Sequence, residues 1–571
     1  MTALLDAFGR RHPAAGGLVP GLNPTERVAS LDGATFDAVV IGAGILGAGT
    51  ARELARRGLR TLVVDRRDVG WGTTNRSTRL VHGGLRYLEH FDFPLVHEGL
   101  RERAWLLRAA PHLVTPLGFL LPFYREPWWR RTELRLGLTL YDLLSPRQSL
   151  PRHRALSAAR AARLEPALSP TGLRSAVLYW DGQVELPERL VVEILRAAEQ
   201  FGATVVTHCR AVDLRLVDGR VDGVTLAADG GLAAVGVPDS GPAGLPGSSA
   251  TAEVRAPLVV NASGPWADQV LATGGVRRPP LLRLTQGIHL RYPLRTRHAV
   301  AFEHPIDGRL CFSIPWQGGT MVGTTDTDVE GGPEQARVSA ADLAYVDDGA
   351  RFLFPDVARL RPTWAEVGVR SLMRKDGSAG AVSRKHVVLD HGQDGAGGLT
   401  TVAGGKLTAW RSIAADVVDR VVGRRDPTAL GAVGFRGEPL PDRRRRGSAD
   451  EASGVLPATS DERLDSLYGP YRGEVAAVAA EDPWWAEPIL PGYPAIRAEI
   501  AQAVRNEWSA TAADIVLRRL VLGFDQTVAR EAGAAVAAVL RERLGWSEAR
   551  LAADLDDLAR ELREHEVAMP V

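Results

Sequence analysis

Three glycines, Gly42, Gly44 and Gly47, are spaced so that a backbone can turn tightly, approach a pyrophosphate closely and pack a helix onto a strand. The flanking residues suit that task. Phe36 to Ile41 reads as a buried strand, and an Ala/Leu/Arg helix follows the glycines, its N-terminus offering unpaired N–H groups to an anion. Gly58 closes that helix as its left-handed C-terminal residue. A second apolar strand, Leu62-Val63-Val64, ends at Asp65, eighteen residues past Gly47, where a carboxylate can hydrogen-bond a ribose hydroxyl. Together these parts make a dinucleotide site. The spacing leaves nicotinamide and flavin dinucleotides both open.

Two later segments favour the flavin. Ala256 to Val260 reads as a strand that runs into Asn261-Ala262-Ser263-Gly264-Pro265-Trp266, a small-residue turn where Ala262 and Gly264 let backbone approach a flat ring. Leu399 to Ala403 leads into Gly404-Gly405-Lys406-Leu407-Thr408 and an amphipathic helix through Val421. That is a second glycine turn at a helix start, whose dipole can stabilise the negative charge of a reduced flavin. FAD is the expected cofactor.

The elements that hold such a site need a large chain. At 571 residues, with 45% hydrophobic content, there is room for two to four domains at roughly 150 residues each. The 69 basic and 68 acidic side chains nearly cancel, so no global field is available to hold nucleic acid by its phosphates. Cys209 and Cys311 give neither a disulfide framework nor metal-ligand spacing; both read as core residues of a protein from a reducing cytoplasm, and no metal site is expected. Lys375, Lys385 and Lys406 are the three lysines, which leaves 66 arginines among the 69 basic residues. A lysine is therefore the more informative cation.

Residues 1–34 read as a flexible extension in which Pro13, Gly16, Gly17, Pro20, Gly21 and Pro24 oppose any helix, with no apolar run long enough for a signal peptide. No stretch approaches the ~18 apolar residues of a membrane span. Arg309 to Trp316, the turn Gln317-Gly318-Gly319 and Thr320 to Gly323 form an alternating hairpin. Ala228 to Ala252, rich in Gly, Ala, Pro and Ser, is expected to be a flexible excursion between two strands. Residues 436–460, including Arg443 to Arg446, read as a linker, and from Asp461 the pattern is helical, most clearly over Glu499–Arg505 and Ala529–Leu544.

From about Phe36 to beyond Gly523 the chain resembles the FAD-dependent, aerobic, quinone-linked glycerol-3-phosphate dehydrogenases. The most specific segment is Thr73-Thr74-Asn75-Arg76-Ser77-Thr78-Arg79-Leu80-Val81-His82-Gly83-Gly84-Leu85-Arg86-Tyr87-Leu88-Glu89-His90. Asn261 to Trp266, Cys311 to Trp316, Val322 to Asp326, Gly368-Val369-Arg370 and Gly404 to Thr408 follow in the family's order. The resemblance implies a mixed α/β and α+β fold: a Rossmann-like FAD-binding domain interleaved with an antiparallel-sheet substrate domain over 35–435, and a C-terminal α-helical domain over 461–571. It also implies oxidation of sn-glycerol 3-phosphate to dihydroxyacetone phosphate, with Ser77, Thr78, His82, Gly83 and Gly84 beside the cofactor.

Such an oxidation needs a base for the hydroxyl proton, a hydride acceptor and cations for the phosphate. In this motif context Arg86, Arg370 and Lys406 are the expected anion partners, since guanidinium forks match phosphate oxygens. His289 is the first choice of base and His82 the second, with a flavin-packing or hydrogen-bonded core histidine the slightly favoured reading for His82. Tyr87 and Thr408 would orient substrate or flavin. Gln286, Ser371 and Ser263 stand where the family usually has lysine, proline and threonine, so a fourth phosphate cation at position 286 is not expected.

A reduced flavin must pass its electrons on, and the sequence carries no iron–sulfur cysteines, haem motif or second dinucleotide fingerprint. The resemblance implies quinone, reached from the cytoplasmic face of a membrane. Trp128-Trp129-Arg130-Arg131 and the leucines from Leu134 to Leu144 suit either a bilayer interface or an apolar helix face packed in the substrate domain. Three alternatives stay open: an oxidase that uses dioxygen, a flavoenzyme of amines or hydroxy acids, and a non-catalytic FAD-binding interaction protein. A homodimer is compatible with the sequence.

Overall fold

The strand Ala38–Ile41 is Ala-Val-Val-Ile with every side chain buried, as befits a β-branched run covered on both faces of a parallel sheet. In the computed structural model, which describes residues 24–85, 88, 92–145, 150–228, 250–374, 385–422 and 459–567, that strand is central in a six-stranded sheet. Across the sheet the order is Val387–Asp390, Leu399–Ala403, Leu258–Asn261, Ala38–Ile41, Thr61–Val64 and Thr204–Val206, parallel except for the first, which is antiparallel to its neighbour. The helices Ile45–Arg56, Pro187–Gln200 and Trp410–Val422 cover one face. A three-stranded antiparallel sheet, Cys209–Val217, Arg220–Ala228 and Thr251–Arg255, covers the other. The first helix sits unusually close to the third. A Cβ on Gly49 would stand 2.7 Å from Trp410 Cε3, so the indole packs where other residues would carry a side chain.

The second body is a ten-stranded mixed sheet. Leu282–Tyr292 is its hub, antiparallel to Trp364–Met373 and to Gly319–Gly323. The expected hairpin is present as Leu310–Trp316 and Gly319–Gly323, with Gln317 and Gly318 both at positive φ in the turn. The sheet continues through Ala299–Glu303 and Val114–Phe123 to Ser175–Val184 and Leu80–Val81, so the motif segment that began in the dinucleotide domain ends as an edge strand here. Both cysteines are buried and free.

Helices from Ser460 onward form a third unit with its own core, and the expected helical stretches fall within Ala498–Asn506 and Gln526–Leu544. This unit docks by charge as much as by apolar contact. Asp68, at 0% exposure, accepts from Arg518 Nε and from both terminal nitrogens of Arg519, each at 2.8 Å. Arg189 pairs with Glu507 at 2.5 Å and Arg196 with Glu474 at 2.8 Å. The Phe524 ring lies against Trp316 and Trp364, at centroid distances of 4.2 and 5.6 Å.

One expectation is corrected. Pro24–Ala29 is a helix, with Val28 and Leu31 buried, so residues 24–34 are a docked element and no loose extension. Pro24 starts that helix, in the first turn, where a missing N–H costs little because no carbonyl within the helix awaits it. Residues 1–23, the excursion at 229–249 and the linker up to residue 458 lie outside the described residues. The excursion's flanks, Arg220–Ala228 and Thr251–Arg255, are antiparallel neighbours.

Gly49→Val should force Trp410 out of its seat and lower stability by about 1–3 kcal/mol, the usual cost of overpacking a filled core. Thermal unfolding followed by tryptophan fluorescence measures it, and an unchanged midpoint would mean the contact is loose.

Candidate active site

Where the parallel strands end, two backbone turns meet without side chains between them. Gly42 has φ +106°, and a Cβ there would lie 2.7 Å from the Ala262 carbonyl oxygen. A Cβ on Gly47 would lie 1.8 Å from the Gly42 carbonyl oxygen, so the helix after the turn packs on the turn itself. Asp65 accepts from the Ala43 N–H at 2.6 Å and the Arg67 N–H at 2.8 Å. Burial pushes its carboxyl up to about 6 against the pull of those two N–H groups. Gly404 and Gly405, at φ +70° and +86°, bring a third turn alongside. These turns border a cleft of about 2540 Å3, larger than the ~300–1,000 Å3 of an ordinary ligand pocket and suited to a dinucleotide with a substrate beside it. The fit to FAD rests on the glycine cradle, the acid beside it and this volume.

The cleft has a floor built from the mixed sheet. His289 lies directly opposite Glu366 on the neighbouring strand, and Thr285 opposite Arg370. Three glycines clear the space. A Cβ on Gly287 would come 2.2 Å from Arg370 Nη2, one on Gly323 2.5 Å from His289 Cδ2, and one on Gly368 2.3 Å from the Arg76 carbonyl oxygen. Arg370 then reaches across the sheet to donate to Thr324 Oγ1 at 3.0 Å, to the Gln286 and Thr325 carbonyls, and to Asp326 at 3.1 Å. Its fork is thereby fixed in direction.

His289 is 4% exposed, with Nε2 3.1 Å from Thr78 Oγ1 and Nδ1 3.7 Å from Glu366 Oε1. Burial first, and then the Arg370 and Arg79 cations, hold its pKa down to about 3. At neutral pH it is an uncharged imidazole. Arg79 is engaged elsewhere: it donates to Glu366 at 3.3 Å and stacks 4.1 Å over the Trp316 ring.

Of the residues singled out in sequence, Gly42, Gly44, Asp65, Ser77, Thr78, His82 and Gly84 line this cleft, as do Ala262, Gly264, His289 and Arg370. So do Gly404, Gly405, Lys406, Leu407 and Thr408. Gly47 stands behind the turn it supports. Gly83 also stands behind: its N–H donates to Tyr141 Oη at 2.8 Å, and that hydroxyl donates to Asp181. His82 is held by its backbone N–H, which donates to Thr408 Oγ1 at 3.1 Å. Arg86 and Tyr87 lie outside the described residues. Gln286 is engaged by Arg337 and Asp342. Sequence reading gave no role to Thr324 and Asp326, which lie in a family segment, and missed Glu366 and the Tyr141–Asp181 pair; an alternating strand that places Glu366 four residues before Arg370, on the same face, was the available signal for one of them.

Residues 37–411 match the family model described as FAD dependent oxidoreductase, and residues 428–551 match that of the C-terminal domain of alpha-glycerophosphate oxidase. A glycerol-3-phosphate dehydrogenase of Synechocystis sp. is 34% identical over 534 residues, covering 90% of this chain and 94% of that one. The chain belongs to the FAD-dependent glycerol-3-phosphate dehydrogenase family. The aerobic glycerol-3-phosphate dehydrogenase of Bacillus subtilis is 32% identical, covering 90% of this chain and 92% of that one. The crystal structure of the Bacillus halodurans glycerol-3-phosphate dehydrogenase complexed with FAD superposes with a TM-score of 0.70 at 26% identity, covering 96% and 99% of the two chains. The fold class expected from sequence therefore holds, and the protein is a flavoprotein oxidoreductase with FAD as its cofactor.

The low proton affinity of His289 has a sign that can be checked. An unfolded imidazole takes up its proton near 6.5, whereas the native state refuses it until about 3. Between those values the unfolded chain binds more protons, so stability falls as pH is lowered through that window. His289→Gln should flatten the decline in urea-unfolding free energy between about pH 6.5 and pH 4, and an unaltered slope would show that the ring titrates normally.

Proposed function

We propose that the chain oxidises sn-glycerol 3-phosphate at its central hydroxyl to dihydroxyacetone phosphate, and that the electrons leave to a membrane quinone. The observation that carries this reading is the convergence of a neutral His289, the oriented Arg370 and Lys406 on the cleft that also holds the dinucleotide turns. FAD supplies the hydride acceptor, at N5 of its ring.

The protein's own residues have three tasks. Arg370, with Lys406 and the sequence-assigned Arg86, attracts the substrate phosphate, since a guanidinium held in place by Thr324 and Asp326 sets a fixed positive charge beside it. His289 accepts the hydroxyl proton as hydride leaves the same carbon. Burial is the main cause of the low His289 proton affinity and the Arg370 cation the next, and a phosphate dianion beside Arg370 offsets the second of these. Tyr87 and Thr408 orient the substrate or the cofactor. The buried sheet floor excludes water from the reacting carbon.

The helix Trp128–Leu144 forms one wall of the cleft's mouth and divides its faces accordingly. Leu138 and Tyr141 are buried, while Trp128 and Leu143 are each 72% exposed and Leu136 66%. The inner side is thus the packed apolar face, and the outer side is the one left for the bilayer reading. Trp129, Leu136 and Leu143 recur every seven residues along its outer side, beside the exposed Arg125 and Arg135. No helix among the described residues is long and apolar enough to cross a membrane. This face suits contact with the cytoplasmic surface of a bilayer, aromatic and aliphatic groups at headgroup depth with arginines beside anionic lipid, and it brings the mouth of the cleft to a quinone dissolved there.

Glycerol 3-phosphate added anaerobically to the purified flavoprotein should bleach the flavin absorbance. His289→Ala should slow that bleaching about 10²-fold or more while leaving flavin content intact. Failure of the substrate to bleach would remove the proposed activity, and peroxide release at the full turnover rate under air would replace quinone by dioxygen. In a separate measurement, the double variant Trp128→Ser with Trp129→Ser should lose sedimentation with anionic vesicles yet bleach at the wild-type rate; equal sedimentation would assign the contact to another surface.

A further inference from the structure

The Asp65 end of the cleft is tied to the C-terminal domain as well as to its own. The loop that leaves the strand Thr61–Val64 begins with Asp65, whose carboxylate meets the Ala43 N–H in the glycine turn. Its backbone is paired with the loop after Thr204–Val206: Cys209 N–H donates to the Asp65 carbonyl at 2.8 Å and His208 N–H to the Arg67 carbonyl at 3.2 Å. Each of these loops then reaches one short segment of the helical domain. Asp68 is gripped by Arg518 and Arg519, His208 Nε2 lies 2.8 Å from Asp514 Oδ2, and Thr207 Oγ1 donates to the Trp508 carbonyl at 2.8 Å. Asp514–Arg519 is a single π-helical turn.

We propose that the C-terminal domain sets the retention of FAD through this turn, with Arg518 and Arg519 acting as positioning residues that hold the Asp65–Asp68 loop in its cofactor-binding shape. The chemistry of the contact favours a positioning role over plain adhesion. Replacing a buried ion pair by apolar residues of similar volume is often neutral or stabilising, so the pair is a weak source of stability. A guanidinium fork, however, fixes a carboxylate in direction as well as distance, which an apolar contact does not. With both Asp68 oxygens taken by two arginines, the loop three residues after Asp65 has one place to stand. Arg518 also donates to Glu561 at 2.6 Å, and Arg560, Arg563 and Glu564 from that same last helix line the cofactor cleft. A continuous chain of contacts therefore runs from the last helix through Arg518 and Asp68 to Asp65 and Ala43.

The inference rests on reading Asp65 as the ribose acid, and the experiment separates the two. FAD dissociation constants are measured on the full chain by reconstitution of apoprotein. Arg518→Gln and Arg519→Gln should each weaken FAD about tenfold, ~1.4 kcal/mol, with turnover at saturating FAD unchanged. Arg518→Lys, which keeps the charge and loses the fork, serves if the glutamine variants do not fold, and should weaken FAD in the same direction by a smaller factor. Glu474→Gln breaks the Arg196 ion pair, another link between the same two domains, and should leave FAD affinity as it was. The proposal is overturned if the arginine variants that fold bind FAD as tightly as the wild type, or if Glu474→Gln weakens FAD equally. Asp65→Asn decides the underlying assignment: unchanged affinity there overturns the ribose reading and the proposal with it, whereas weakened affinity there with intact affinity in the arginine variants overturns the proposal alone.

Discussion

The close passage of backbone past backbone at Gly42 and Ala262 is the constraint on which the rest of the cleft depends. Neighbouring parallel strands, Ala38–Ile41 and Leu258–Asn261, deliver their carboxyl ends side by side, and both must turn away without putting a side chain into the gap. Only then do the helix N-terminus at Ile45 and the turn at Asn261–Trp266 face a common space. The cost of the arrangement is borne by glycine, which gives up more backbone freedom on folding than other residues. The return is a polar floor of N–H groups that no side chain could supply at that distance.

The mixed sheet solves a different problem, that of presenting a base and a cation within reach of one small molecule. Register does most of it. His289 and Arg370 stand on antiparallel neighbours, four positions apart in the pairing, and each occupies space left by a glycine on an adjacent strand. Electrostatics follow from that placement: burial and two arginines outweigh the single carboxylate of Glu366, whose oxygen stays 3.7 Å away, and the imidazole remains uncharged. Asp326 meanwhile pairs with Arg370 at 3.1 Å and partly balances its charge.

Much of this was legible in the chain. The dinucleotide turn, Asp65, the second glycine turn and the hairpin at Leu310–Gly323 have local signatures, namely periodicity changes and glycines at turn positions, that do not depend on what packs against them. The helix at Pro24 was misread because proline was taken as a breaker where it serves as a first helical residue. The contacts that escaped reading are of another kind. Asp68 meets Arg519 across 451 residues of sequence, and Gly83 meets Tyr141 across 58. In a chain with 66 arginines among its 69 basic residues, nothing local distinguishes Arg518 and Arg519 from the many that face solvent. The roles of Arg86 and Tyr87 stay where the family motif put them, outside the described residues.

The Tyr141 hydroxyl leaves a mechanical legacy. The helix that shows its tryptophans and leucines to the outside is pinned on its inner side by one phenol, bonded at once to Asp181 and to the backbone beside His82. Such a helix cannot ride outward by even the length of a hydrogen bond without dragging Gly83 along or leaving the buried Asp181 carboxylate to Arg103 alone. The outermost layer of the molecule and the wall of its innermost chamber therefore move as one piece.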